Sequence, residues 1–133
     1  MSLFQNSVLK KYLKQQDTET VAKAYKKFTK YFHAPKIQEN IRSTKEEEYQ
    51  GIFLNELFSK ILGYTMKPNA NYNLVAEYKN EKNSKKADGA ILKEEHAIAV
   101  IELKGTNTKD LEKIRQQAFD YKANQSACVD GCF

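Results

Sequence analysis

Two apolar segments of the chain, residues 87–92 and 97–104, constrain its fold more than any other feature. The residues between them run only from Lys93 to His96. Apolar runs of this length with a short polar connection predict two antiparallel strands joined as a hairpin. Apolar residues occupy both faces of the second segment, which predicts a strand in the middle of a sheet that helices cover on both sides.

Charged residues interrupt these segments where burial should exclude them. Asp88 lies near the start of the first segment, and Glu102 and Lys104 lie at the end of the second. Charged groups are seldom buried without a partner or a metal. Side chains alternate along a strand, so we expect Glu102 and Lys104 on one face, with Asp88 within reach on the neighbouring strand.

Two carboxylates this close repel each other unless a proton or a cation lies between them. Their oxygens are ligands that Mg²⁺ or Mn²⁺ prefers, and the backbone carbonyl of Leu103 offers another. A bound cation polarises a phosphoryl oxygen and lowers the pKa of water, while Lys104 would orient that water or stabilise developing negative charge. The pattern predicts a metal site for phosphodiester hydrolysis. The plain alternative is a solvated Glu–Lys pair, with Asp88 and Glu102 pointing apart.

Helices and one more strand are predicted around this hairpin. Apolar spacing predicts helices over residues 4–16, 17–33, 43–62 and 109–123, and Pro35 is interpreted as the exit from the second helix. Residues 72–79 have the pattern of a strand. These elements divide the chain into an N-terminal helical extension, residues 1–42, and a core, residues 43–133.

The charge of the chain is uneven. Residues 1–45 hold ten Lys and Arg against three Asp and Glu, which gives 10 − 3 = +7, whereas the whole chain carries +5. A basic N-terminal third suits a polyanionic partner. The candidate phosphate-binding residues lie on the second predicted helix: Lys23, Lys26, Lys27 and Lys30.

Both cysteines lie in the last six residues, so a disulfide framework is not expected. The N-terminus lacks the pattern of a signal peptide, and no segment is apolar for long enough to span a membrane. We therefore expect a cytoplasmic protein without a membrane partner.

The arrangement of Asp88, Glu102 and Lys104 resembles the PD-(D/E)XK nuclease superfamily, with Ala87 where the family's proline stands. Gln117 and Tyr121 match the Q-x-x-x-Y pattern of its RecB-like branch. That resemblance implies that they lie beside the active site. Members of the family also place a glutamate from the preceding helix near the metal. Glu48 is the first choice for that role, with Glu47 and Glu56 as alternatives.

The chain also resembles a narrower group of proteins, the N-terminal endonuclease region of type IIG (type IIS-like) restriction–modification enzymes. The residues that carry this resemblance are 48–58, 62–64, 86–90 and 101–105. The resemblance implies an α/β (α+β), restriction-endonuclease-like core, with a mixed sheet of three to four strands flanked by helices. It implies Mg²⁺ or Mn²⁺ as cofactor and double-stranded DNA as partner, with a homodimer as one way to cut both strands.

S-adenosylmethionine would belong to a methyltransferase part for which this chain has no residues. The next strand of the family fold could only be residues 127–129, so we expect a core truncated at its C-terminal end. The other function left open is a catalytically silent, nuclease-like module that binds DNA or protein.

Overall fold

The structure is a computed structural model that describes residues 5–124. It combines helices with a small sheet, as the sequence predicts. The described elements are α1 Asn6–Gln15, α2 Thr18–Phe32, α3 Pro35–Ser43, α4 Glu46–Phe53, a π-helical segment Leu54–Ile61, β1 Leu74–Lys79, β2 Lys86–Lys93, β3 His96–Ile101 and α5 Leu111–Ala123. None of the helices in this part of the chain is both long and apolar enough to cross a bilayer.

The three strands form an antiparallel sheet in the order β1-β2-β3. The predicted hairpin is confirmed: Lys93 pairs with His96 across a two-residue turn. Glu94 and Glu95 have φ of 49° and 68°, the backbone of the turn that matches strand twist in tight hairpins.

Two predictions about this sheet, that it is mixed and that β3 is central, depend on a further strand. The three described strands form an antiparallel sheet with β2 between β1 and β3. The predicted fourth strand, residues 127–129, lies outside the described residues. The double-sided apolar pattern of β3 reflects layers packed above and below the sheet.

Those two layers cover opposite faces. On one face the π-helical segment packs Leu54 and Phe58 into a cluster with β1, β2 and β3, whose other buried members are Leu74, Ile91, Ala99 and Ile101. On the other face Tyr121 of α5 packs with Ala87 and Val100. Burial of β3 from both sides explains why apolar residues occupy both of its faces.

Gly89 lets the π-helical segment approach the sheet. A Cβ built at this position would lie 3.2 Å from Cδ2 of Leu54 and 3.4 Å from Cδ1 of Ile101, and both of those side chains are fully buried. The absence of a side chain at Gly89 therefore permits close packing beside Asp88.

The helices differ from prediction in two places. The predicted single helix over residues 43–62 begins at Glu46 and changes to π-helical geometry from Leu54. Pro35 does not only end α2, because it also begins α3, a helix that the apolar pattern did not indicate. Proline suits the first turn of a helix, where its missing N–H leaves no hydrogen bond unmade.

The N-terminal helices contact the core through aromatic rings and one lysine. The rings of Phe32 on α2 and Phe53 on α4 meet edge to face, with centroids 5.8 Å apart. Lys27 donates to the backbone carbonyl of Lys60, at 3.3 Å. The helical extension is thereby held against the face of the core that carries the π-helical segment.

Candidate active site

Asp88 lies on the central strand β2, and its side chain contacts both α4 and the segment that follows β3. Its Oδ2 accepts a hydrogen bond from the backbone N–H of Leu103 at 2.6 Å, and its Oδ1 accepts one from Nε2 of Gln50 at 2.8 Å. The last backbone pair between the strands joins Gly89 to Ile101. Beyond that pair, the Asp88 side chain accepts the hydrogen bond from Leu103 N–H that a backbone carbonyl of β2 would accept if β3 were longer.

Glu102 follows β3 directly and is buried. Its side chain is 4% exposed, and its Oε1 accepts hydrogen bonds from Lys104 at 2.7 Å and from Gln117 at 2.5 Å. Its second oxygen, Oε2, is buried and has no hydrogen-bond partner among the described residues. A buried carboxylate oxygen without a donor is costly, which indicates a missing positively charged or proton-donating neighbour.

The pKa values of the two acids show that they share one environment. Burial raises the pKa of Asp88 and of Glu102, and the charge of Asp88 raises the pKa of Glu102 further. Hydrogen bonds from Leu103 and Lys104 act in the opposite direction without cancelling the effect. Neither acid is therefore an ordinary solvated carboxylate.

Lys104 is held between acids. Its ammonium donates to Glu102 and lies 3.7 Å from Oε1 of Glu46. Burial alone would lower the pKa of Lys104, but the neighbouring carboxylates outweigh it and raise the pKa above its ordinary value. Lys104 is therefore a positive charge in this site and has no lone pair with which to accept a proton.

Glu46 is a site residue that the sequence reasoning did not choose. It begins α4, and its Oε2 accepts a hydrogen bond from the backbone N–H of Gly105 at 2.5 Å, while its Oε1 faces Lys104. The family resemblance pointed instead to Glu48, which is exposed. No described hydrogen bond or ion pair joins Glu48 or Glu47 to the site.

The third candidate, Glu56, lies in the π-helical segment and pairs with Lys60. The preference for Glu48 assumed that the site faces the apolar side of α4. The structure instead directs the side that carries Glu46 and Gln50, one turn apart, towards Asp88 and Lys104.

Gln50 is the second residue that sequence reasoning missed. The signal was present, because residues four apart on a helix lie on the same face, and Gln50 stands four residues after Glu46. The apolar residues of α4 favoured the opposite face, on which Glu48 was predicted to support the site.

The Q-x-x-x-Y pair is divided between site and core. Gln117 reaches Glu102 from α5. Tyr121 is buried against Ala87 and Val100, and its role beside the reacting groups stays a prediction. Leu103 enters the site through its N–H, and its carbonyl as a metal ligand likewise stays a prediction.

The four lysines of α2 do not share one environment. Lys23 pairs with Glu19 at 2.6 Å, and Lys27 binds the carbonyl of Lys60. Lys26 and Lys30 are exposed. The helix therefore presents a basic surface whose contact with nucleic acid stays a prediction.

The donor set for a cation is small. Within residues 5–124, no group of three or more His, Cys, Asp or Glu side chains is arranged to hold a metal ion. Any metal here would be bound by Asp88, Glu102 and backbone or solvent oxygens, which is the pattern that Mg²⁺ tolerates because it keeps several of its waters.

Comparison of the chain with protein-family models, with curated proteins and with solved structures gave no significant match.

Proposed function

We propose that this chain is the nuclease part of a restriction–modification enzyme, a Mg²⁺-dependent domain that hydrolyses phosphodiester bonds of double-stranded DNA. One observation carries the proposal. Glu102 is almost fully buried, yet its Oε2 has no hydrogen-bond partner in the described chain, beside a second carboxylate that raises its pKa. Lys104 offsets the repulsion between the two carboxylates only in part, because the pKa of Glu102 stays raised, and a divalent cation between them would relieve it further.

The residues fit a hard divalent cation. Asp88 and Glu102 supply anionic oxygens, which Mg²⁺ and Mn²⁺ favour over nitrogen or sulfur. The Leu103 carbonyl belongs to the same short segment and is the proposed third ligand. When bound, the cation would polarise a phosphoryl oxygen and acidify a water molecule.

The remaining polar residues would hold this pair in place and supply charge. Gln117 and Lys104 fix one oxygen of Glu102, so the other is directed away from them. Because Lys104 stays protonated, its role would be to stabilise negative charge that develops on the phosphoryl group. Glu46 would keep Lys104 and the backbone at Gly105 in position.

The surroundings support a polyanionic substrate. The chain has a formal net charge of +5, concentrated in its N-terminal third. The exposed lysines of α2 lie on the extension that packs against the core. We propose that Lys26 and Lys30 bind backbone phosphates. Lys23 and Lys27 would do so after leaving Glu19 and the carbonyl of Lys60.

The test measures cleavage and metal binding together. Plasmid cleavage in Mg²⁺ and Mn²⁺ binding by titration calorimetry are compared for the chain, Glu102→Gln and Lys104→Ala. The matched control is Glu112→Gln, because Glu112 is an exposed acid paired with Arg115 on α5. We expect Glu102→Gln to lose both properties and Lys104→Ala to lose cleavage while it still binds metal. Mn²⁺ binding that is the same in Glu102→Gln and Glu112→Gln would contradict the proposal.

A catalytically silent DNA- or protein-binding module is the second candidate, and one observation favours it. Both oxygens of Asp88 already accept hydrogen bonds, from Leu103 and Gln50, so a polar network could hold this region together without a cation. This candidate predicts salt-dependent DNA binding that survives Glu102→Gln, together with an absence of Mn²⁺ binding.

A further inference from the structure

A cavity of about 160 Å³ opens beside Lys104, between the end of α3, one side of α4 along its length and the segment after β3. On one side it borders the candidate active site, from which Glu46, Gln50, Lys104 and the backbone at Gly105 reach its wall. Ile41, Tyr49, Phe53 and Thr106 form the part of the wall that has no role in that site.

The size and the partly apolar walls of the cavity suit a single aromatic ring. A cavity of about 150 Å³ lined by apolar side chains is large enough to hold benzene. The rings of Tyr49 and Phe53 and the side chain of Ile41 supply apolar contact, which favours a flat, unsaturated ligand. A pyrimidine has one six-membered ring, whereas a purine has two fused rings and needs more room.

The polar groups on the wall favour one kind of pyrimidine. The Glu46 carboxylate is 41% exposed and makes one hydrogen bond, to the N–H of Gly105, besides its ion pair with Lys104. A carboxylate has further lone pairs with which to accept a hydrogen bond. The exocyclic amine of cytosine can donate to it, whereas uracil and thymine present a carbonyl oxygen at the same position.

We propose that this cavity is a base-binding subsite for a cytosine nucleotide whose phosphate lies at Lys104. In a DNA strand the base would have to leave the stack to reach the cavity, and contacts with the cavity wall would offset the loss of stacking. The position of the phosphate at Lys104 rests on the proposed function, whereas the binding of the base depends only on the cavity.

The probes for the experiment are cytidine 5′-monophosphate, uridine 5′-monophosphate and ribose 5-phosphate, titrated into the full chain and followed by ligand-observed NMR. Because bases stack favourably on aromatic side chains, we expect cytidine monophosphate to bind roughly fivefold or more tightly than ribose 5-phosphate. We also expect it to bind more tightly than the uridine nucleotide. Equal binding of cytidine monophosphate and ribose 5-phosphate would overturn the proposal.

Two variants fill the cavity from different sides. Ile41→Phe acts from α3 and Thr106→Phe from the exposed segment after β3, so that one remains informative if the other does not fold. Either should abolish the preference for the base and leave binding of ribose 5-phosphate unchanged. A preference for cytidine monophosphate that persists in a folded, filled variant would contradict the assignment of this cavity.

The outcome is separable from that of the proposed function. If Mn²⁺ does not bind at Asp88 and Glu102 while the preference for cytidine monophosphate holds, the nuclease proposal fails and the base-binding subsite stands. If Mn²⁺ binds and all three probes bind equally, the subsite is refuted and the metal site stands.

Discussion

The carboxylate of Asp88 accepts the backbone N–H of Leu103, the residue that separates Glu102 from Lys104. A side chain on the central strand thereby fixes the direction of the chain where it leaves β3. Because Leu103 is held, the residues on either side of it turn towards the same small space, and Lys104 reaches Glu102 at 2.7 Å. The spacing of the Glu-X-Lys pattern is thus tied to Asp88 through the backbone as well as through charge.

The hydrogen bond from Gln50 to Asp88 should stabilise the protein. Gln50→Leu leaves a partly buried carboxylate without one of its donors, and we expect the free energy of unfolding to fall by about 1–3 kcal/mol in urea denaturation. Gln116→Leu is the matched control, because Gln116 donates to Asp120 at 3.0 Å on the exposed face of α5. The control should change stability by less than about 0.5 kcal/mol. Equal effects of the two substitutions would show that the Gln50 bond has no special role.

Glu102→Gln should change stability with opposite signs in the absence and presence of metal. Without metal, the substitution removes a buried negative charge whose pKa is raised by burial and by Asp88, so the melting temperature should rise. With Mn²⁺ at a hundred times its dissociation constant, the unsubstituted chain should gain about 2.7 kcal/mol, and the variant should gain little. A variant that responds to Mn²⁺ like the unsubstituted chain would remove Glu102 from the ligands.

Gly89 and Gly51 should respond to alanine in opposite directions. At Gly89 the added Cβ meets the fully buried Leu54 at 3.2 Å, so Gly89→Ala should destabilise by about 1–3 kcal/mol through overpacking. At Gly51, on the exposed side of α4, a Cβ meets nothing within 4 Å. Gly51→Ala should stabilise by about 0.5–1 kcal/mol because alanine favours helix. Chemical denaturation of both variants tests the packing of the π-helical segment on β2.

Tyr49 should make the protein sensitive to alkali. Burial, with smaller contributions from Tyr31 and Glu56, raises the pKa of Tyr49 from 10.0 to about 12. The unfolded chain therefore loses this proton at a lower pH than the folded chain, so stability falls as pH rises from about 10 towards 12. Tyr49→Phe should reduce that loss when unfolding is measured across this pH range. A variant whose stability falls as steeply as that of the unsubstituted chain would contradict the assigned burial.

The hairpin and the juxtaposition of Glu102 and Lys104 were predictable because strand periodicity and a short polar turn determine them locally. The position of Gln117 beside Glu102 was expected from the resemblance to the Q-x-x-x-Y pattern and not from its spacing alone. Glu46 and Gln50 were not selected, because their role depends on which side of α4 faces the sheet. That orientation is set by the packing of Leu54 and Phe58, and the π-helical geometry that begins at Leu54 has no signature in the spacing of apolar residues.

Strand order and helix boundaries show a similar limit. The apolar pattern of β3 indicates burial on two faces, and Ile101 and Tyr121 belong to the two clusters that cover them. The pattern does not indicate which strand is central in the sheet. The pattern around Pro35 predicts the end of a helix, although the same residue also begins α3. Local sequence patterns of this kind determine whether a segment is a helix or a strand better than they determine which elements lie next to each other.

The most direct measurement is an anomalous difference map from crystals of the chain soaked in Mn²⁺. We expect a peak between Asp88 and Oε2 of Glu102, at ordinary metal–oxygen distances of about 2.0–2.3 Å from both carboxylates, and no such peak in Glu102→Gln. A map without a peak at these carboxylates, with Oε2 of Glu102 hydrogen-bonded to protein or water instead, would contradict the central claim that this acid pair is a metal site.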